Sequence, residues 1–212
     1  MTSDFSAMRQ SMIDSQLKTV GITDASLLAA MGTVPREIFL GQKQQSLAYA
    51  DAAQPLAPGR WLLEPLVLAL LLQNAGVTPG MRVLVVGSGS GYSAAVLAHM
   101  GAQVTALESD TALAALAESA GVVTRTGPLA DGWAPGAPYD LMLFEGAIEH
   151  VPAALWAQLA GGGRIAAVVR TSGVGGAYAG SVLADGAIAG LPFLEVAAYP
   201  LPGFARPKKF AF

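Results

Sequence analysis

The chain has no cysteine and only two histidines, His99 and His150. Neither a disulfide framework nor a structural zinc site can be assembled from that stock. Both histidines sit where helices are expected to end and read as ordinary helix-end residues. Charge is scarce as well, at 13% of residues with a net of −3, and the basic residues are scattered apart from Lys208 and Lys209. That distribution gives no electrostatic footprint for nucleic acid. Long apolar runs are missing too, although 53% of the residues are hydrophobic. In the greasiest stretch, Leu62 to Leu72, Glu64 and Pro65 break the start and Gln73 and Asn74 close the end, so it reads as a core helix and no membrane segment is expected. Asp4 comes early and no cationic segment leads into an apolar one, so no secretory signal is expected and the cytoplasm is the expected setting.

What is present is a βαβ unit. Val83 to Val86 is too short for a helix and rich in β-branched residues, so it reads as a strand buried on both faces. Gly87, Gly89 and Gly91 follow at once with Ser88 between, where positive φ and close approach of a ligand are possible. Tyr92 to Ala98 has the composition of a helix, Gly101 stops it, and Val104 to Leu107 forms a second strand ending in Glu108 and Ser109. A dinucleotide fingerprint needs Gly or Ala where Tyr92 stands, which weakens a nicotinamide reading. Glu108 lies about 20 residues past the first glycine, the distance at which an acid holds ribose hydroxyls, so an adenosyl group is still indicated. The alternative is a tight turn in a purely structural unit.

Around that unit, Asp4 to Val20 reads as a helix ended by Gly21, and a second helix is expected with Thr23 as its cap. Asp51 to Arg60, with Pro55, Pro58 and Gly59, reads as a loop running into the Leu62 to Asn74 helix. Further strands are expected at Val122 to Thr124, Leu141 to Phe144 and Ile165 to Val169. A helix is expected over Pro152 to Leu159, a turn at Gly161 to Gly163, and a hairpin about Asp185 and Gly186. The tail from Pro200 to Phe212 is expected to pack as an extended edge segment. Strands alternating with helices imply a doubly wound, mostly parallel, Rossmann-like α/β sheet with a mixed edge and an N-terminal helical extension. Its ligand would lie beyond the C-terminal strand ends, where Gly87, Glu108 and Glu145 meet.

The glycine turn with its partner acid resembles the first motif of S-adenosylmethionine-dependent methyltransferases. Nearly the whole chain resembles the protein-L-isoaspartate (D-aspartate) O-methyltransferases. The resemblance is carried by Met8 to Gly21, Val34-Pro35-Arg36-Glu37-Ile38-Phe39, Ala48-Tyr49-Ala50-Asp51, Val83 to Leu97, Ala137 to Asp140 and Gln158 to Ile165. It implies S-adenosyl-L-methionine as cofactor and an altered aspartyl residue of a damaged protein or peptide as substrate. It also implies a cofactor site of Gly87, Ser88, Gly89, Gly91, Glu108, Ser109, Leu129 and Glu145. Residues 1–76 would supply the helical extension and substrate-side loop, and 77–212 the methyltransferase core of the same compact unit.

Two blocks depart from the family pattern. Where the family carries hydroxyls facing cofactor and substrate, this chain has Arg60-Trp61-Leu62-Leu63-Glu64-Pro65, with Leu63 at the serine position. A leucine donates no hydrogen bond, which leaves Arg60 and Glu64 as the candidate substrate-side residues, Arg60 as a bidentate carboxylate partner. At Gly127-Pro128-Leu129 the family's acid is replaced by Pro128, leaving the Leu129 backbone to contact an adenine. No catalytic acid or base is assigned, because a carboxylate is already nucleophilic and proximity can supply about 7 to 11 kcal/mol. An acceptor other than a carboxylate, or a binding role without turnover, stays open.

Overall fold

The computed structural model describes residues 4–172, 174–183 and 186–206. Asp185 and the Lys208-Lys209 pair lie outside them. The N-terminal segment is one continuous helical rod of changing pitch: α1 (Phe5–Ser11), a π-helical stretch Met12–Leu17 and a 3-10 turn Lys18–Val20. Gly21, at φ 92°, ends it. The cap of α2 (Ala25–Thr33) is Asp24, not Thr23 as the sequence suggested. Its carboxylate accepts from the amides of Ser26 and Leu27, whereas the Thr23 amide is taken by the Gln73 side chain.

The expected loop at 51–60 is instead mostly a small hairpin, β1 (Gln54–Ala57) and β2 (Arg60–Leu62), turning at Gly59 with φ 71°. Its prolines conceal it from the sequence, since they deplete the ladder without abolishing it at an edge. Helix α3 (Pro65–Ala75) then starts with Pro65, whose missing amide costs nothing there, and Gly76 closes it in the left-handed region.

The main sheet has seven strands in the order β5-β4-β3-β6-β7-β8-β9. The first five are β5 (Thr124–Thr126), β4 (Gln103–Glu108), β3 (Arg82–Val86), β6 (Tyr139–Ile148) and β7 (Leu159–Ser172), and they run parallel. At the far edge β8 (Val174–Gly180) and β9 (Leu194–Val196) are antiparallel, the mixed edge that the sequence implied. Helices α4 (Tyr92–His99), α5 (Thr111–Ser119) and the short α6 (Ala153–Trp156) complete the alternation. The expected turn at Gly161 to Gly163 is absent because β7 begins already at Leu159 and runs through the glycines. Beside Asp185, Val182 and Ile188 make an isolated antiparallel bridge.

One apolar cluster runs from Met12 through α2, α3 and α4 to Ala177, with Val83 and Val85 fully buried in it. Leu84 and Val86 feed a second cluster on the opposite sheet face, where Leu201 and Phe204 of the C-terminal segment join. Each such side chain contributes about 1.5 to 3 kcal/mol of burial. No helix among the described residues is long and apolar enough to cross a membrane.

Candidate functional site

Strand β3 lies between β4 and β6, so the chain leaves it in opposite directions on its two sides and a crevice opens beyond its C-terminal end. Three expected residues converge there, Gly87 between the strands that carry Glu108 and Glu145. Gly87, Gly89 and Gly91 have φ of 70°, 57° and 97°, conformations that L side chains rarely adopt. They do different jobs. A Cβ on Gly91 would meet Ala117 Cβ at 3.0 Å and Val122 Cβ at 3.1 Å, so its bareness serves helix packing. Gly87 and Gly89 face the crevice.

Glu108 is fully buried and heavily engaged. Its Oε1 accepts from the amides of Ser109 at 2.7 Å and Asp110 at 2.9 Å, and its Oε2 accepts from the Gly89 amide at 2.7 Å. Across the crevice Arg60, only 4% exposed, places its guanidinium on the same carboxylate. Nη1 donates to Oε1 in a short contact, and Nη2 donates to Oε2 at 2.7 Å and to the Gly87 carbonyl at 2.8 Å. With the Ser109 hydroxyl at 3.4 Å from Oε1, six donors therefore use a carboxylate that offers about four lone-pair sites.

Arg60 thus does not face a substrate carboxylate, as the sequence reading expected; it is the partner of Glu108. That pairing was invisible in sequence because 48 residues separate the two. Two apolar residues that the reading missed cover the glycine turn. A Cβ on Gly87 would strike Leu201 Cδ1 at 2.6 Å and Arg60 Nη2 at 3.1 Å, and one on Gly89 would strike Leu56 Cδ1 at 2.8 Å. No periodicity marks Leu56 or Leu201 as crevice residues. Ser88 and Ser90 are buried beside the turn with their hydroxyls unpartnered. Leu129 begins a 3-10 turn alongside, brought near by the Gly127 amide bonding to the Glu108 carbonyl, and its side chain is buried in the second cluster.

The substrate-side loop is held from below by Arg36, another residue whose role the sequence did not reveal. Its buried guanidinium donates to the carbonyls of Ala48, at 2.8 Å, and Leu63, and lies 4.7 Å from the Tyr92 ring centroid. Glu145 is buried nearby, and neither carboxyl oxygen has a well-formed hydrogen bond. Burial pushes its pKa up, opposed more weakly by Ser93, Arg36, the Leu63 amide and Arg60. Glu64, at the N-cap of α3, is also raised, by burial and by the charge of Asp51. Both acids line a cavity of about 10 Å³ with Arg60, Trp61, Leu63 and Tyr199, space for barely one water. Among the described residues no group of three or more acids and histidines could hold a metal.

An adenosyl group in the crevice would require free acceptor sites on Glu108 and open space over Gly87 and Gly89. Arg60 holds the first, and Arg60, Leu56 and Leu201 fill the second. As placed, the residues do not fit the cofactor.

The profile of the family described as Protein-L-isoaspartate(D-aspartate) O-methyltransferase matches residues 7–175. The chain is 40% identical over 168 residues to protein-L-isoaspartate O-methyltransferase 1 of Rhodopseudomonas palustris, covering 76% of this chain and 69% of that one. Against the protein-L-isoaspartate O-methyltransferase of Methylorubrum populi, identity is 43% over 165 residues, 75% and 78% of the two chains. A solved protein-L-isoaspartate O-methyltransferase superposes with a TM-score of 0.78 at 25% identity, over 92% of this chain and 66% of its own length. A Plasmodium falciparum structure described as a protein-L-isoaspartate O-methyltransferase, in complex with S-adenosyl-L-homocysteine, shares the fold with a TM-score of 0.74 at 20% identity, over 90% and 96%.

Proposed function

The chain belongs to the protein-L-isoaspartate(D-aspartate) O-methyltransferase family of S-adenosylmethionine-dependent methyltransferases, and on that premise we propose that it methylates carboxylates of altered aspartyl residues in damaged cytoplasmic proteins. The observation that carries the reading is the retained cradle: left-handed Gly87 and Gly89 directly after β3, with Glu108 ending the neighbouring parallel strand. In this reading residues 1–76 supply the substrate side and 77–212 the cofactor side of one compact unit. Gly87, Ser88, Gly89, Glu108, Ser109, Leu129 and Glu145 border the cofactor crevice, Gly91 sets the helix behind it, and Glu64 borders the acceptor side. Since the cleft as described is filled, no chemical step is assigned to particular side chains.

A second reading, an acceptor other than a carboxylate, is favoured by one observation. Glu64 and Glu145 both line the cavity beside Leu63, where an anionic substrate would meet two acids while Arg60, the one cation of the lining, is already paired with Glu108. Labelled methyl cofactor offered with paired peptides, identical except for isoaspartate or aspartate, tests both. Transfer to the isoaspartyl peptide alone supports the first reading, and Leu63→Ser should then raise that rate about ten-fold or more by adding a hydrogen bond to a charged group. Transfer to neither peptide, with turnover on an amine or hydroxyl acceptor, supports the second.

A further inference from the structure

Resting on the reading of the Gly87 and Gly89 crevice as the cofactor site, we propose that the chain carries its own closure for that site, and that an S-adenosyl ligand enters only in exchange for Arg60. The closure has two arms from distant parts of the sequence. The β1–β2 hairpin brings Leu56 over Gly89 and Arg60 onto Glu108, and the C-terminal segment brings Leu201 over Gly87. Trp61 and Tyr199 join the arms, their rings stacked with centroids 3.7 Å apart and planes 4° from parallel. Tyr199 is 46% exposed, so the clasp lies at the surface while the latch lies inside.

The hairpin can swing at its tip, residues 56–61, while Leu62 at its foot stays buried in the core. It forms a separate two-stranded sheet, with no ladder to the seven-stranded one, so its displacement breaks none of the main sheet's hydrogen bonds. Arg60 is incompletely satisfied where it sits, its Nε being buried without a partner. Its departure would not strand Glu108, which keeps the amide donors of Gly89, Ser109 and Asp110. The exchange is donor for donor: two ribose hydroxyls on the carboxylate replace two guanidinium N–H groups. The other arm is tied more firmly, the Ala147 amide bonding to the Tyr199 carbonyl at 2.8 Å and the Leu201 amide to the Ala147 carbonyl at 2.7 Å. The hairpin tip is therefore the moving arm, and the Leu201 side chain has to shift over a backbone that stays bonded.

Calorimetry and stopped-flow binding of S-adenosyl-L-homocysteine to the native chain, Arg60→Gln and Trp61→Ala test this, with circular dichroism to verify folding. Trp61 stacks on Tyr199 and bonds neither Glu108 nor the glycine turn, so it reports on the clasp. The closure predicts that Arg60→Gln binds at least ten-fold tighter than the native chain, and that Trp61→Ala associates several-fold faster. If the native chain binds and neither variant binds tighter or faster, the closure is refuted while the cofactor reading stands. If no folded protein binds at millimolar ligand, the cofactor reading fails and takes the closure with it. Should Arg60→Gln not fold, the Trp61→Ala association rate decides: an unchanged rate refutes the closure.

Discussion

Glu108→Ala is the sharpest perturbation of the buried pair. The substitution leaves the Arg60 guanidinium, 4% exposed, without its counter-charge. Breaking a buried pair by deleting one partner costs about 3 to 5 kcal/mol while the survivor stays in the closed crevice, out of reach of water. The Gly89 amide, bonded to Glu108 at 2.7 Å, loses its acceptor as well and adds about 1 kcal/mol or more. A total near 4 to 6 kcal/mol is a large share of the 5 to 15 kcal/mol by which domains are stable. At about 2 to 4 °C per kcal/mol for a chain of this size, the melting temperature should fall by roughly 8 to 24 °C. Arg60→Gln should cost far less, about 1 to 3 kcal/mol, since Glu108 keeps three amide donors. Thermal and urea unfolding followed by circular dichroism at neutral pH would measure both, and a double-mutant cycle with Glu108→Gln should give a coupling of about 1 to 3 kcal/mol. A Glu108→Ala midpoint within about 3 °C of native, or a coupling near zero, would refute the reasoning.

Glu145 makes a pH prediction. Burial raises its pKa above 4.5, so the folded state holds the proton more tightly than the unfolded one, and stability falls as pH rises from about 4.5 through the folded value. Glu145→Gln removes that decline: its melting temperature should exceed the native one at pH 8, with the gap closing toward pH 4, and a pH-independent gap would contradict the account. Gly89→Ala should cost about 1 to 3 kcal/mol from backbone strain plus the Leu56 contact at 2.8 Å. Gly76→Ala, at a φ of 64° close to the 57° of Gly89 and with only Arg164 Nη1 at an ordinary 3.7 Å, carries the strain alone, so equal losses in urea unfolding would show that Leu56 does not press on the turn.

The core unit was legible because its signals are local. Val83 to Val86, the glycines and the run to Glu108 announce strand, turn and strand through side-chain shape and φ alone, and they sit where expected. The alternation beyond them gave the parallel sheet, although β5 lies two residues later than expected, at Thr124–Thr126. What failed was non-local. The 51–60 segment is rich in turn formers, yet pairing of Gln54 with Leu62 makes it a hairpin. Arg60 looked like a free loop cation, and only the fold brings it to Glu108. Arg36 belonged to a recognisable block, but its burial under Leu63 depends on the way the N-terminal helices pack. The sequence could therefore name the crevice and most of its border, while what fills the crevice is set by segments that approach it from both ends of the chain.

The most direct test of the account is a crystal structure of the chain grown with S-adenosyl-L-homocysteine. The account predicts the ligand over Gly87 and Gly89, its ribose hydroxyls on Glu108, and Arg60 displaced with the hairpin. A ligand bound elsewhere with the Arg60–Glu108 pair intact, or a ligand at the turn with Arg60 unmoved, would contradict it.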